Sequence, residues 1–329
     1  MHEMVDTSFR LMMCCLLMAC LVFLVNAANV TDEDTYVVID VSGGHDASNW
    51  PVSNLASAPK EGWSDEYKTT KIVLKKMLPG GFVRRKRISE YPGISTNCAE
   101  VFHVQVKKPF WIGVFPITQK QWELVSGKRP SSFSKEECYA KRPVDSVSWS
   151  MLRGRKKGAL YPKSNEVDAD SFLGILREKT GLSELDIPTE DEWEYACHGM
   201  VESQYGNGQD NPAAMLDLGR YEANSGGYGV SHNVDSKSGT AEVGSYQPNA
   251  WGLYDMQGGV WEWCLDLAYP SDDPQPCSAI QLGVDRVLKG GHWGSPSDLC
   301  AMSVRAARCS DMGKDCSGAR LLLRRSVTH

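Results

Sequence analysis

Apolar and polar positions alternate in short bursts along this chain, separated by glycine, proline, serine and asparagine rather than joined into long periodic runs. The β-branched run Tyr36 to Val41 predicts a strand, and the Gly-, Ser- and Pro-rich stretch that follows to about Trp63 reads as an accessory flap. Strands are expected at Lys71 to Leu74 and Gly81 to Val83, with Arg84 to Arg87 behind them as solvated surface. Two more are expected at Val101 to Val106 and Phe110 to Val114. Thr118 with Gln121 forms a capping box that opens a helix, and Gly127 closes it. Pro143 to Trp149 is a turn leading into a short helix, and Ser171 to Thr180 is a further amphipathic one. Thr189 and Glu192 make a second capping box, with acidic residues at the positive end of the helix dipole, so these glutamates are expected to serve the helix. Strands at Arg286 to Lys289, running into the turn Gly290-Gly291, and at Leu321 to Leu323 close the chain.

One stretch does not follow either period. In Gln247 to Asp266, Gly252, Gly258 and Gly259 interrupt an aromatic and acidic run, which predicts a folded, buried loop. Asp255 and Glu262 need a cation or several donors to offset desolvation in such surroundings. Ca²⁺ suits them, because it takes carboxylate and backbone oxygens together. The alternative is that Asp255 caps a turn and Glu262 pairs with an arginine.

The chain has 329 residues, 42% of them hydrophobic and 23% charged, which is the composition of a globular protein. The apolar run Leu11 to Val25, followed by Asn26-Ala27, reads as a signal peptide at residues 1–27, too short for a membrane span. Cleavage there would shift the formal charge from −6 to −5 and leave no stable membrane insertion; neither value implies a nucleic-acid partner. It would also leave eight cysteines: Cys98, Cys138, Cys197, Cys264, Cys277, Cys300, Cys309 and Cys316. An even number suits a secreted or periplasmic protein, or the secretory pathway in a eukaryote. Cys309 with Cys316 and Cys264 with Cys277 are short-loop candidates for disulfides.

Six pieces occur in an order that resembles one family. They are FWIGVFPITQKQW from Phe110, PVDSVSW from Pro143, IPTEDEWEYAC from Ile187, YEANSG from Tyr221, GTAEVGSYQPNAWGLYDMQGGVWEW from Gly239 and RVLKGGHW from Arg286. Together they resemble the formylglycine-generating, or sulfatase-modifying factor, domain over residues 101–329, with residues 28–100 as an N-terminal extension. The resemblance implies a large, loop-rich α+β fold related to C-type lectins. It also implies structural calcium at Asp255, Gly258, Val260 and Glu262, and a second site at Asn224, Ser225, Asp235 and Lys237, where Ser225 and Lys237 offer carbonyls.

The enzymes of that family hold Cu(I) between two cysteines five residues apart. Here Cys300 keeps the second position, but Ser295 stands at the first, and a hydroxyl is a poor ligand for Cu(I). His292 could supply a nitrogen beside Cys300; otherwise Cys300 is a buried apolar residue or half of a disulfide, and His292 a backbone-bonded loop residue. The seven histidines show no local iron or zinc spacing. The expected function is therefore a calcium-stabilised binding or accessory module without two-cysteine copper chemistry. Its partner would be a sulfatase, another cysteine-containing peptide, a small molecule or a glycan held by loops around Trp251 and Trp293. The alternative is an oxidoreductase with ligands His292 and Cys300.

Overall fold

The computed structural model describes residues 35–88, 94–95, 97–226, 238–269 and 284–324. The expected signal peptide, Asp235, Lys237 and Cys277 lie outside the described residues.

The strands are β1 (Tyr36–Asp40), β2 (Val52–Leu55), β3 (Lys71–Met77), β4 (Gly80–Ile88), β5 (Ile94–Ser95), β6 (Asn97–Val106) and β7 (Phe110–Gly113). They continue as β8 (Leu185–Asp186), β9 (Trp261–Leu267), β10 (Asp285–Lys289), β11 (Arg305–Cys309), β12 (Ser317–Gly318) and β13 (Leu322–Arg324). The helices are short: α1 (Gln119–Ser126), α2 (Trp149–Arg153), α3 (Phe172–Thr180), α4 (Glu190–His198) and α5 (Met215–Leu218). Long connections carry much of the chain, as expected for an irregular α+β fold.

A six-stranded sheet runs β2-β1-β3-β7-β13-β8, a five-stranded one β12-β9-β10-β11-β5, and β4 pairs with β6 alone. The residues read as an accessory flap thus supply β1 and β2 to the main sheet. Four of the five β1 residues are buried because the strand is covered on both faces, which is why it is a continuous apolar run. Val37 and Ile39 join Trp111, Trp122 and Trp263 in the largest core cluster, while Tyr36 and Val38 pack with Phe115 and Val243 on the other side.

Both capping boxes form. Thr118 Oγ1 accepts from Gln121 N at 3.3 Å while Gln121 Oε1 accepts from Thr118 N at 3.0 Å, and Gly127 ends α1 with φ +68°. Trp122 of α1 then stacks on Phe172 of α3, with ring centroids 4.3 Å apart. Glu192 accepts from Thr189 N and pairs with Arg324, so the cap of α4 also ties that helix to β13.

Two expectations are corrected. The stretch Gln247 to Asp266 is a loop only as far as Val260; Trp261–Leu267 is the strand β9, paired with β10 and β12. All three glycines fall before Trp261 and take positive φ in the turns that lead into the strand, so none weakens it. Arg84 is not solvated surface: β4 carries it onto α4, where it pairs with Asp191 and Glu194.

Candidate functional site

Strand β10 delivers the chain to the turn that carries the expected catalytic residues. Gly290 and Gly291 take φ +96° and +78°, and a Cβ on Gly291 would lie 2.5 Å from Cys300 Sγ. Only glycine allows this close approach of backbone to sulfur. His292 N donates to Ser295 Oγ at 3.1 Å, and Ser295 N donates to His292 O at 2.8 Å, closing a tight turn. Gly294 N donates to His292 Nδ1 at 3.1 Å, so that nitrogen is an acceptor and the ring proton sits on Nε2. Burial, reinforced by the Arg308 charge, lowers the His292 pKa to about 4. A short 3₁₀ turn, Ser297–Cys300, then brings the thiol under the glycines. Gln257 fixes it there, donating to Cys300 O at 2.6 Å while accepting from Gly206 N at 2.7 Å.

The three residues therefore come together, but in a closed arrangement. Cys300 is fully buried, Ser295 is 1% exposed and His292 is 9% exposed. Burial pushes the Cys300 thiol far above its ordinary value, although the backbone N–H groups of His292 and Gly258 partly oppose that shift. At neutral pH it is a thiol, neither nucleophile nor soft anionic ligand.

The acidic loop lies on the other side of Gly258. Asp255 sits at φ +54°, half-buried, with Oδ2 accepting from Gly244 N at 2.6 Å. Burial raises its pKa to about 6, and among the described residues no lysine or arginine forms an ion pair with it. A cavity of about 10 Å³, large enough for one water-sized particle, touches Asp255, Gln247, Asn249 and Gln257. Asp255 is the one member of the expected calcium set that touches this void, whose other walls include Cys197, Leu218, Leu253 and Met256, and the Arg320 and Lys68 charges act on it from further away. Glu262 is placed differently. Arg320 donates to both its oxygens at 2.9–3.2 Å and Trp193 Nε1 donates at 2.6 Å, so its side chain already has a counter-charge. Gly258 N donates to Gly290 O, and Val260 is buried just before β9.

At the other expected calcium site, Asn224 Oδ1 accepts from Tyr221 N and its carbonyl accepts from Arg220, while Ser225 O accepts from Gly239 N. Asp235 and Lys237, the remaining pair, lie outside the described residues.

The sulfatase-modifying factor enzyme 1-like domain family matches residues 64–325. The chain belongs to this family. It is 34% identical over 231 residues to the formylglycine-generating enzyme of Streptomyces coelicolor, covering 67% of this chain and 62% of that protein. It is 30% identical over 229 residues to the chaperone protein LppX of Paenibacillus barcinonensis, covering 62% of this chain and 74% of that protein. The mouse formylglycine-generating enzyme is 30% identical over 57% of this chain and 50% of its own length, so the chain matches only half to about three-fifths of these two enzymes. Among solved structures, Treponema denticola variable protein 1 superposes with a TM-score of 0.53 at 25% identity, covering 78% of this chain and 96% of that one. PvdO from Pseudomonas aeruginosa shares the fold, with a TM-score of 0.51 at 20% identity over 77% of this chain and 94% of that one.

The donors in the His292-to-Cys300 turn do not fit the family's Cu(I). One buried protonated thiol and a hydroxyl committed to a backbone N–H offer neither two thiolates nor an open approach. The proposed short-loop disulfide is also absent: Cys309 and Cys316 are free thiols, and Cys316 Sγ accepts from Arg308 Nη2 at 3.5 Å. Cys264 is likewise free. The tryptophans expected at a groove separate, Trp293 being core at 4% exposure and Trp251 remaining partly exposed beside Tyr195.

Sequence reasoning missed a buried ionic cluster on α4. Lys289 of β10 reaches Glu194 at 2.9 Å and Glu190 at 3.7 Å; Arg305 adds to Glu190 and Arg84 to Glu194. Lys289 and Arg305 hold the Glu190 pKa low despite its burial. The acidic and basic runs were visible separately, but the fold decides which members meet.

Proposed function

We propose that the chain is a calcium-stabilised binding or accessory module on the sulfatase-modifying-factor scaffold, working outside the cytoplasm, and not a two-cysteine copper formylglycine generator. The observation that carries this reading is the Ser295–Cys300 turn. Its hydroxyl accepts the His292 N–H and its lone thiol is sealed beneath Gly291, so this turn offers one thiol where Cu(I) would need two thiolates. The relative whose name is chaperone protein LppX supports a role other than oxidation, since the match spans 74% of that protein. The calcium part of this reading is supported by Asp255, a half-buried carboxylate that adjoins a small cavity with Gln247, Asn249 and Gln257 on its wall. The partner class is a sulfatase or other cysteine-containing peptide, or a small molecule or glycan.

The test is an anaerobic Cu(I) titration of the calcium-loaded protein against a competing chelator, followed by oxygen and a Cys-x-Pro-x-Arg peptide. The reading expects no stoichiometric tight copper binding and an unmodified peptide cysteine. One tightly bound equivalent of Cu(I) together with peptide aldehyde would overturn it. His292 does not rescue the oxidase alternative, because its Nδ1 is taken by Gly294 N–H and its Nε2 carries the proton.

A further inference from the structure

Glu194 and His198 stand four residues apart on α4 and so share a face. Glu194 is buried, and its Oε2 is held by Arg84 Nε at 3.0 Å and Lys289 Nζ at 2.9 Å. Its other oxygen, Oε1, has no hydrogen-bond donor. That oxygen lies 4.0 Å from His198 Nε2. His198 Nδ1 is 2.9 Å from Val201 O, and a carbonyl only accepts, so the ring proton is on Nδ1. Burial lowers the His198 pKa, which keeps the ring neutral and leaves Nε2 a bare lone pair. Two acceptors thus face each other across a gap too long for a direct bond, with no donor between them. Buried acceptors left in this state are costly.

Both residues border a void, although Glu194 Oε1 is itself covered until the His198 ring shifts. Glu194 and His198 line a cavity of about 50 Å³ with Val83, Glu202 and Met302. Through Val83, His198 and Glu202 it adjoins a cleft of about 460 Å³ whose walls include Phe82, Tyr195, Met200 and Trp251. Phe82 lies 4.8 Å from the His198 ring and Trp251 4.9 Å from Tyr195, centroid to centroid. Among the described residues no lysine or arginine lines either space, whereas Glu202 lines both and Glu194 lines the smaller one. Arg84 Nη2, also without a partner, is not part of either wall. Glu194 Oε2 is already paired with Arg84 and Lys289, so what remains for a ligand N–H is Oε1, beside the Glu202 carboxylate and the aromatic walls, which are complementary to a positively charged donor.

We propose that the cleft between the β4–β6 hairpin and the C-terminal turn of α4 binds a protonated nitrogen, an alkylammonium or guanidinium on an apolar stem, received between Glu194 Oε1 and His198 Nε2. Its N–H groups satisfy both acceptors while the stem lies along Phe82, Tyr195 and Trp251. The inference names a ligand class for the binding-module reading and rests on it, but its test involves neither copper nor peptide oxidation, so the two can fail separately.

The test is calorimetric titration of the full chain with phenethylamine, with its N,N,N-trimethyl derivative and with acetyl-Gly-Arg-Gly-amide. The trimethyl compound keeps the charge and loses every N–H. One equivalent of phenethylamine or of the peptide is expected to bind at least about tenfold more tightly than the trimethyl compound, as charged hydrogen bonds require. Tighter amine binding marks a free amine as the source, and tighter peptide binding a basic side chain. His198→Phe, which keeps the ring packing against Phe82, should weaken binding by about tenfold at unchanged Tm; should that variant unfold, Trp251→Ala carries the same expectation. Equal binding of the trimethyl compound, an unaffected folded variant, or no binding of either donor probe would overturn the proposal and leave a bridging water as the occupant.

Discussion

Arg320 is the side chain on which the junction of the two large sheets depends, and its replacement has a calculable effect. It is fully buried and makes five hydrogen bonds: three to Glu262, one to Gly113 O and one to Tyr254 O, at 2.8–3.2 Å. Arg320→Met removes the charge but keeps an apolar stem. Glu262 would retain only the Trp193 indole N–H, and stranding one member of a buried ion pair costs about 3–5 kcal/mol. The two carbonyls that lose donors add about 1 kcal/mol each at the low end. A loss of about 5–7 kcal/mol is comparable with the whole stability of many domains. The Tm should fall by on the order of 10–20 °C. Urea unfolding followed by tryptophan fluorescence measures the loss, and the double variant Glu262→Gln/Arg320→Met should recover most of it, since no buried charge is then left alone. A loss below about 1 kcal/mol, or a double variant no better than Arg320→Met, would refute the argument. Running the cycle in saturating calcium also asks whether the Glu262 carboxylate has any second cation; a calcium response that survives Glu262→Gln shows that the ion does not depend on that carboxylate.

Three other outcomes are expected. Asp266, whose Oδ2 accepts from Glu190 N at 2.6 Å, has its pKa raised from 3.8 to about 6, first by burial and then by Glu190 and Asp191. The native state therefore holds this proton more tightly than the unfolded chain does, so the associated stability is complete below pH 4 and is lost as pH rises through 6. Asp266→Asn should flatten that part of the urea-midpoint profile and gain up to about 3 kcal/mol at pH 7; an unchanged slope between pH 4 and 6 would contradict it. Gly291→Ala combines φ +78° with a Cβ 2.5 Å from Cys300 Sγ, and should lose about 2–5 kcal/mol, partly restored by adding Cys300→Ala. Restoration failing in equilibrium unfolding would mean that the backbone strain, not the sulfur contact, dominates. Chelation of calcium should lower the Tm, and Asp255→Asn should abolish the calcium-dependent increment in differential scanning calorimetry; an increment untouched by that substitution would remove Asp255 from the site.

What the sequence determined by itself was local. The capping boxes at Thr118 and Thr189, the helix end at Gly127, and the strands at Tyr36 and Phe110 follow from a few neighbouring residues whose hydrogen bonds close within one turn, or from runs that are apolar because both faces are covered. The six ordered pieces identified the family because each is such a local solution. That a serine, Ser295, stands five positions before Cys300 was also legible, since it needs only counting. Tertiary structure decided everything that depends on residues distant along the chain. It selected Arg320, 58 positions away, as the partner of Glu262, and it carried Arg84 onto α4, 110 positions from Glu194. It made the start of the chain part of the main sheet through β1 and β2. It sealed Cys300 under Gly291 while leaving Glu194 Oε1 4.0 Å from His198 Nε2 beside a small cavity. Charge type and spacing are written in the sequence, but whether a carboxylate meets an arginine, a cavity or water is set by which surfaces pack, and no local pattern encodes that choice.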